Sequence, residues 1–303
     1  MSGLMPIPGQ APSVSPSSQP SHIFTHLASL IRLRNQTGTL LLLLPSLWAL
    51  VLASDGSPSP WLLLIFSLGS FVMRSAGVIM NDLADQSFDR QVARTKTRPL
   101  ASGVLHPRNA LLFLAGLLGV AVFLLTFLNP LTIWLSPIAL GLAALYPFTK
   151  RFLQVPQFFL GLAFGWGAVM AWAATRNQLN LSAWLLFAAT ICWALAYDTI
   201  YALQDQEDDI QVGVKSSAIL FGSRVWLAVG VIEIVMIMFL GIAGWVEHLN
   251  LAFYGGLAGL AGFLSQQVWR LRSEVSPSEA FAMFKQHVGV GVVILAGIWL
   301  GTI

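Results

Sequence analysis

The chain is short of charge. Lys, Arg, Asp and Glu make up 10% of its 303 residues, against about 25% in a soluble domain. Apolar residues reach 56%, and the mean hydropathy is +0.74. That balance argues against a soluble globular domain and for a polytopic membrane protein. Cysteine is almost missing. Cys192 stands alone in an apolar run, so no disulfide framework or cysteine metal site is available. No alternation of apolar and polar residues marks strands, which argues against a membrane β-barrel. No HExxH, glycine-rich phosphate loop or serine elbow occurs, and His22, His26, His106, His248 and His287 show no ligand spacing. Residues 1–31 hold no Lys or Arg, which fits neither a basic signal peptide nor an Arg-rich transit peptide. Residues 1–24 are rich in Pro, Ser and Gln and are expected to form a disordered tail, with one transmembrane domain over 25–303.

What the chain has in quantity is long apolar runs. A spanning helix needs about 20 of them in a row. Nine stretches qualify, near 35–53, 61–80, 109–128, 131–149, 156–175, 182–203, 225–246, 249–267 and 286–303. The third and fourth are separated by Asn129 and Pro130, which predicts a tight turn between antiparallel helices. Nearly all Lys and Arg fall at the N-terminus (Arg32, Arg34) and in alternate loops, around 81–108, 150–155, 204–224 and 268–285, whereas the opposite loops hold Arg176 and Arg74 lies inside a span. The positive-inside rule predicts a cytoplasmic N-terminus and a C-terminus on the opposite side. The run GGLAGLAG at 255–262 predicts close helix packing.

Acids cluster at two of the cytoplasmic span ends. In NDLADQSFD, Asn81, Asp85 and Asp89 stand four apart, which puts them on one face of a helix. In YDTIYALQDQEDD, Asp198, Tyr201, Asp205 and Asp209 are spaced three, four and four, with Asp208 beside that face. Acids at the end of an apolar helix are costly and call for a reason. A solvated helix end would tolerate either cluster alone. Two matched clusters suggest bound divalent cations, and hard oxygen donors suit Mg²⁺. Two such ions could hold a diphosphate between them and stabilise it as a leaving group. A faint repeat supports the pairing: DQSFDRQV at 85–92 matches DQEDDIQV at 205–212.

Cations surround these clusters. Arg94, Lys96 and Arg98 could close over the same anion, or serve as ordinary cytoplasmic positive charge. Arg74 lies two helical turns before Asn81, inside an apolar span. It is either a substrate ligand or a structural partner of Asp85 or Glu233. Arg32, Lys150 and Arg151 sit at span ends, where snorkelling at the interface is the alternative to binding a carboxylate or phosphate.

Taken together, NDLADQSFDRQVARTKTRPLASG at 81–103, YPFTKR at 146–151 and YDTIYALQDQEDDIQVGVKSSAILFG at 197–222 resemble the UbiA superfamily of intramembrane aromatic prenyltransferases. The 4-hydroxybenzoate polyprenyltransferase branch is the most similar. LLLLPSLWAL at 41–50 and FGWG at 164–167 add weaker support. The resemblance implies an all-α fold of nine transmembrane helices around a central cavity with a cytoplasmic cap. It implies one Mg²⁺ on Asn81, Asp85 and Asp89 and another on Asp205 and Asp209, with Asp198 as a supporting acid. Asp85, Asp205 and Arg151 would be catalytic. Arg32, Arg74, Arg94, Lys96, Arg98, Lys150, Asp198 and Tyr201 would bind substrate, and Arg32 or Arg151 would take the carboxylate of the aromatic acid. The implied partners are a polyprenyl diphosphate, 4-hydroxybenzoate and the lipid bilayer, in quinone biosynthesis; no nucleic acid or protein partner is implied. Three rivals remain at this point. A haem, chlorophyllide or homogentisate branch fits the 146–151 and 197–222 strings less well. A transporter would place its acids near midplane. A soluble isoprenyl diphosphate synthase would not be this apolar.

Overall fold

The computed structural model describes residues 20–92, 94–149 and 151–303, with the side chains of residues 20–22, 208 and 212 left aside. Most of the proposed tail, residues 1–19, lies outside the described residues, as does Lys150. The described chain is helical, in the order α1 (Pro20–Leu30), α2 (Thr37–Ala53), α3 (Pro60–Ala84), α4 (Gln86–Asp89), α5 (Pro107–Leu125), α6 (Pro130–Thr149), α7 (Gln157–Arg176), α8 (Leu181–Ala202), α9 (Gln206–Val212), α10 (Ser217–Phe221), α11 (Val225–Val246), α12 (Leu251–Arg270) and α13 (Pro277–Gly301). Helix α1 begins inside the stretch assigned to the tail.

A long helix stands at each of the nine expected spans. Seven helical stretches are long and apolar enough to cross a membrane. Helix α2, with 17 residues, is shorter, and α12 is not among the seven, so a count of nine crossings remains an expectation. Two boundaries differ. Helix α13 starts at Pro277 rather than near 286. Its first turns carry Glu279 and Lys285 around the short apolar run 280–284, and Ser276 caps them by accepting from the Glu279 amide. Helix α3 runs on past the apolar stretch to Ala84, so Asn81 and Asp82 are helical.

The core sits where α2, α7, α8 and α13 meet. Trp48 and Trp193 pack with ring centroids 4.9 Å apart. Trp48 Nε1 donates to the Gly291 carbonyl at 2.8 Å, and Trp193 Nε1 donates to His287 Nδ1 at 3.2 Å. A Cβ on Gly291 would lie 2.6 Å from Leu44 and 2.8 Å from the Trp193 ring, so the two indoles depend on that missing side chain. Close backbone approach is found between α7 and α8, where a Cβ on Gly161 would come 2.9 Å from Ile191 Cα. The run at 255–262 corrects the expectation: Gly255, Gly259 and Gly262 face open space, and Gly256 alone has a neighbour within 4 Å.

Asn129 makes the expected turn between α5 and α6. Its Oδ1 accepts from the Thr132 amide at 3.0 Å, and its Nδ2 donates to the Ala173 carbonyl at 2.7 Å. From there α5 packs on α3, whereas α6 packs on α7. A cavity runs between them. Val122 of α5 and Leu140 of α6 line it, and both side chains are exposed.

Candidate active site

A cavity of about 1010 Å³ is bounded by α2, α3, α5, α6, α7, α8 and α13. Its body is apolar, with Leu41, Phe66, Leu118, Leu160 and Phe164 in the wall. Its mouth carries Asn81, Asp85 and Asp89 on one side and Asp205 and Asp209 on the other. The two motifs are thus brought together across 120 residues of sequence.

Spacings of four suggest continuous helices, but each motif is a broken one. Helix α3 stops at Ala84, Asp85 has φ −99° and ψ 4°, and the short α4 follows. Helix α8 stops at Ala202, Asp205 has φ −110° and ψ 9°, and the short α9 follows. The repeat seen in the sequence is therefore a repeat in backbone. It extends to the next residue. Gln86 Nε2 donates to the Leu100 carbonyl at 2.9 Å, and Gln206 Nε2 donates to the Ala218 carbonyl at 3.3 Å. Each glutamine ties its short helix to the loop that follows.

Arginines close the mouth. Arg94 donates to both Asp205 oxygens, at 2.8 and 2.5 Å, and to the Tyr201 hydroxyl at 3.2 Å. Burial works to lower the pKa of this guanidinium, but its bonds to Asp205 and Tyr201 outweigh burial and hold it above the ordinary value. Arg98 Nη1 bonds Asp89 at 2.8 Å and Asp82 at 3.1 Å. Arg32 Nη2 bonds the same Asp82 oxygen at 3.0 Å. Burial pushes the Arg32 guanidinium down from its ordinary pKa, and Asp82 opposes that. Asp82 was missed by spacing because it lies one residue off the Asn81–Asp85–Asp89 face. The available signal was an acid with no local cation at the end of an apolar span.

The other expected residues divide into two groups. Arg32, Arg74, Arg94, Arg98, Asp198 and Tyr201 line the cavity. Lys96 is exposed and does not line it. Arg151 is also outside the lining: it is exposed, bonds the Ala84 carbonyl at 2.7 Å and lies over the Phe88 and Phe148 rings. Arg74 pairs with neither Asp85 nor Glu233. Its Nη1 donates to the Ile31 carbonyl at 2.9 Å, next to Arg32, whose backbone is left-handed at φ 54°. A Cβ on Gly38 would come 3.0 Å from Arg74 Nε, so glycine leaves the guanidinium its place.

Among the described residues no three His, Cys, Asp or Glu side chains converge as a finished metal site. The donor chemistry nonetheless fits a hard divalent cation. Each motif offers carboxylate oxygens at the mouth, Asn81 adds an amide oxygen, and a diphosphate would supply further oxygens.

A family model described as the UbiA prenyltransferase family matches residues 42–288. The chain belongs to the UbiA prenyltransferase family. Its UbiA relatives include a protein of Tolumonas auensis named 4-hydroxybenzoate octaprenyltransferase, 47% identical over 89% of this chain and 94% of that one. Among solved UbiA structures, the apo form of a homologue from Aeropyrum pernix K1 superposes with a TM-score of 0.72 at 23% identity, over 85% of this chain and 96% of that one. A homologue from Archaeoglobus fulgidus bound to GPP and Mg²⁺ gives 0.64 at 14% identity, over 89% of this chain and 99% of that one.

Proposed function

We propose that this chain transfers a polyprenyl group from polyprenyl diphosphate to the ring of 4-hydroxybenzoate, ortho to the hydroxyl, and releases diphosphate, as a step of quinone biosynthesis. The observation that carries the reading is the cavity itself: paired acidic motifs and arginines at the mouth, and an apolar body walled in part by α5 and α6. The polar head of a diphosphate fits the mouth. A polyprenyl tail fits the body and extends between α5 and α6 into lipid.

Asn81, Asp85 and Asp89 would hold one Mg²⁺, and Asp205 and Asp209 the other. Bound there, the metal supplies positive charge to the diphosphate as the allylic C–O bond breaks. Arg94 and Arg98 are in reach of the same mouth and exchange a carboxylate for a phosphate oxygen when the acids turn to metal. The apolar wall keeps water from the allylic cation. Arg32 takes the carboxylate of 4-hydroxybenzoate, and Arg74 supports it by holding the Ile31 carbonyl. The mouth faces the cytoplasm, because the loops beside it carry most of the Lys and Arg. The test is an assay of membranes bearing the chain with 4-hydroxybenzoate, polyprenyl diphosphates and Mg²⁺. The expected product is the 3-polyprenyl acid, lost with EDTA and restored by added Mg²⁺. Absence of that product with every polyprenyl diphosphate would refute the reading.

A further inference from the structure

Four carboxylates at the cavity mouth are engaged. Asp89 bonds Arg98 and Asp205 bonds Arg94; Asp85 and Asp209 also have interaction partners. Asp198 differs from all of them. It lies on α8 seven residues before Asp205 and one helical turn before that helix ends at Ala202. It lines the cavity, but among the described residues no cation or hydrogen-bond donor meets its carboxylate. Its electrostatic neighbours are the Tyr146 and Tyr197 phenols, and the Phe284 ring packs edge-on against Tyr197. The backbone repeat does not call for an acid there, because the equivalent position before Asp85 is Val78, also in the wall. A carboxylate carried inside an apolar span is costly and marks a function.

We propose that Asp198 is the general base that removes the ring proton. The assignment rests on the function proposed above. With the diphosphate held at the mouth, its C1 points into the body, and the acceptor ring must lie against C1 at the depth of Asp198. The C1–O bond breaks and its electron pair leaves with the diphosphate. A ring carbon ortho to the hydroxyl bonds to C1 and still carries its hydrogen. The Asp198 carboxylate takes that proton, the C–H electron pair restores the aromatic ring, and the proton departs with the released diphosphate.

The test compares the parent with Asp198→Asn, using 4-hydroxybenzoate deuterated at both ortho positions and polyprenyl diphosphate labelled with ¹⁸O at the C1 bridge. A positioned base contributes about a hundredfold or more, so kcat should fall by that factor. A primary deuterium effect absent from the parent should appear in the variant. Scrambling of the bridge ¹⁸O should persist, because ionisation does not need Asp198, and the Mg²⁺ dependence should not move. Asp198→Glu should recover part of kcat and suppress the isotope effect, which separates loss of the base from loss of folding. Unchanged kcat, or a fall without an isotope effect, would overturn the assignment. Loss of ¹⁸O scrambling with a raised Mg²⁺ requirement would also overturn it, by making Asp198 a support for metal. A parent chain that forms no product would overturn the proposed function itself, and this assignment with it.

Discussion

The two acidic motifs share a backbone and differ in what surrounds it. In both, a long helix ends, an aspartate opens a short helix, and a four-residue step leads to a second aspartate. In the first, Asp85 and Asp89 are buried, and Asp82 draws Arg32 and Arg98 into the same wall. In the second, the position equivalent to Asp82 is Ala202. Asp205 is partly exposed and meets one arginine, Arg94, whose own side chain is 43% exposed. The difference suggests a division of labour. The first motif is a rigid, internally paired wall that fixes two cations. The second is a more open edge held by Arg94 alone, with the deep carboxylate of Asp198 beneath it.

The largest effect should come from the elements the motifs share. Asp85→Ala and Asp205→Ala should each lower kcat by about a hundredfold or more, as loss of a charge-stabilising group at a reacting centre does, while the protein still inserts. Full turnover in either variant would show that the motifs are not equivalent partners.

Next is Asp82, which has no counterpart in the second motif. Removing one partner of a buried ion pair costs about 3–5 kcal/mol. Asp82→Ala should therefore lower the melting temperature and raise the KM for 4-hydroxybenzoate by freeing Arg32. An unchanged melting temperature would deny that this wall is internally paired.

Arg98→Gln and Arg94→Gln sharpen the contrast between wall and edge. Each should raise the KM for polyprenyl diphosphate by about ten- to a hundredfold, from about 1.5–3 kcal/mol per charge-assisted bond. Arg98→Gln should also destabilise the protein. Arg94→Gln should do so less, because its ion pair is the more exposed of the two and exposure lowers what such a pair contributes to stability. Equal losses in melting temperature would erase the distinction. The smallest effect belongs to the matched glutamines. Gln86→Ala and Gln206→Ala each remove one bond of about 0.5–1.5 kcal/mol. The shorter bond of Gln86 predicts the larger fall in stability, measured by thermal unfolding.

Much of this was legible in the sequence, and the omissions have physical causes. Apolar runs located the long helices because twenty residues suffice to see a span. They failed at the start of α13, where capping by Ser276 begins the helix ahead of Glu279 and an apolar run of five residues, too short to read as a span. Spacings of four found Asn81, Asp85, Asp89, Asp205 and Asp209, yet the same spacing fits a continuous helix, so the breaks at Asp85 and Asp205 left no trace. Asp82 and the arginine pairings depend on approach between loops distant in sequence. Arg151 shows the same limit: its motif marks the vicinity of the site, but its side chain turns to the Ala84 carbonyl outside the cavity.

The central claim is that both motifs grip one diphosphate. It is tested most directly by titrating a non-ionising polyprenyl diphosphate analogue into the purified parent, Asp85→Ala and Asp205→Ala proteins in the presence of Mg²⁺. Both variants should bind at least about tenfold more weakly than the parent, by similar factors, corresponding to about 1.4 kcal/mol or more. Weakened binding in one variant with parental affinity in the other would contradict the claim.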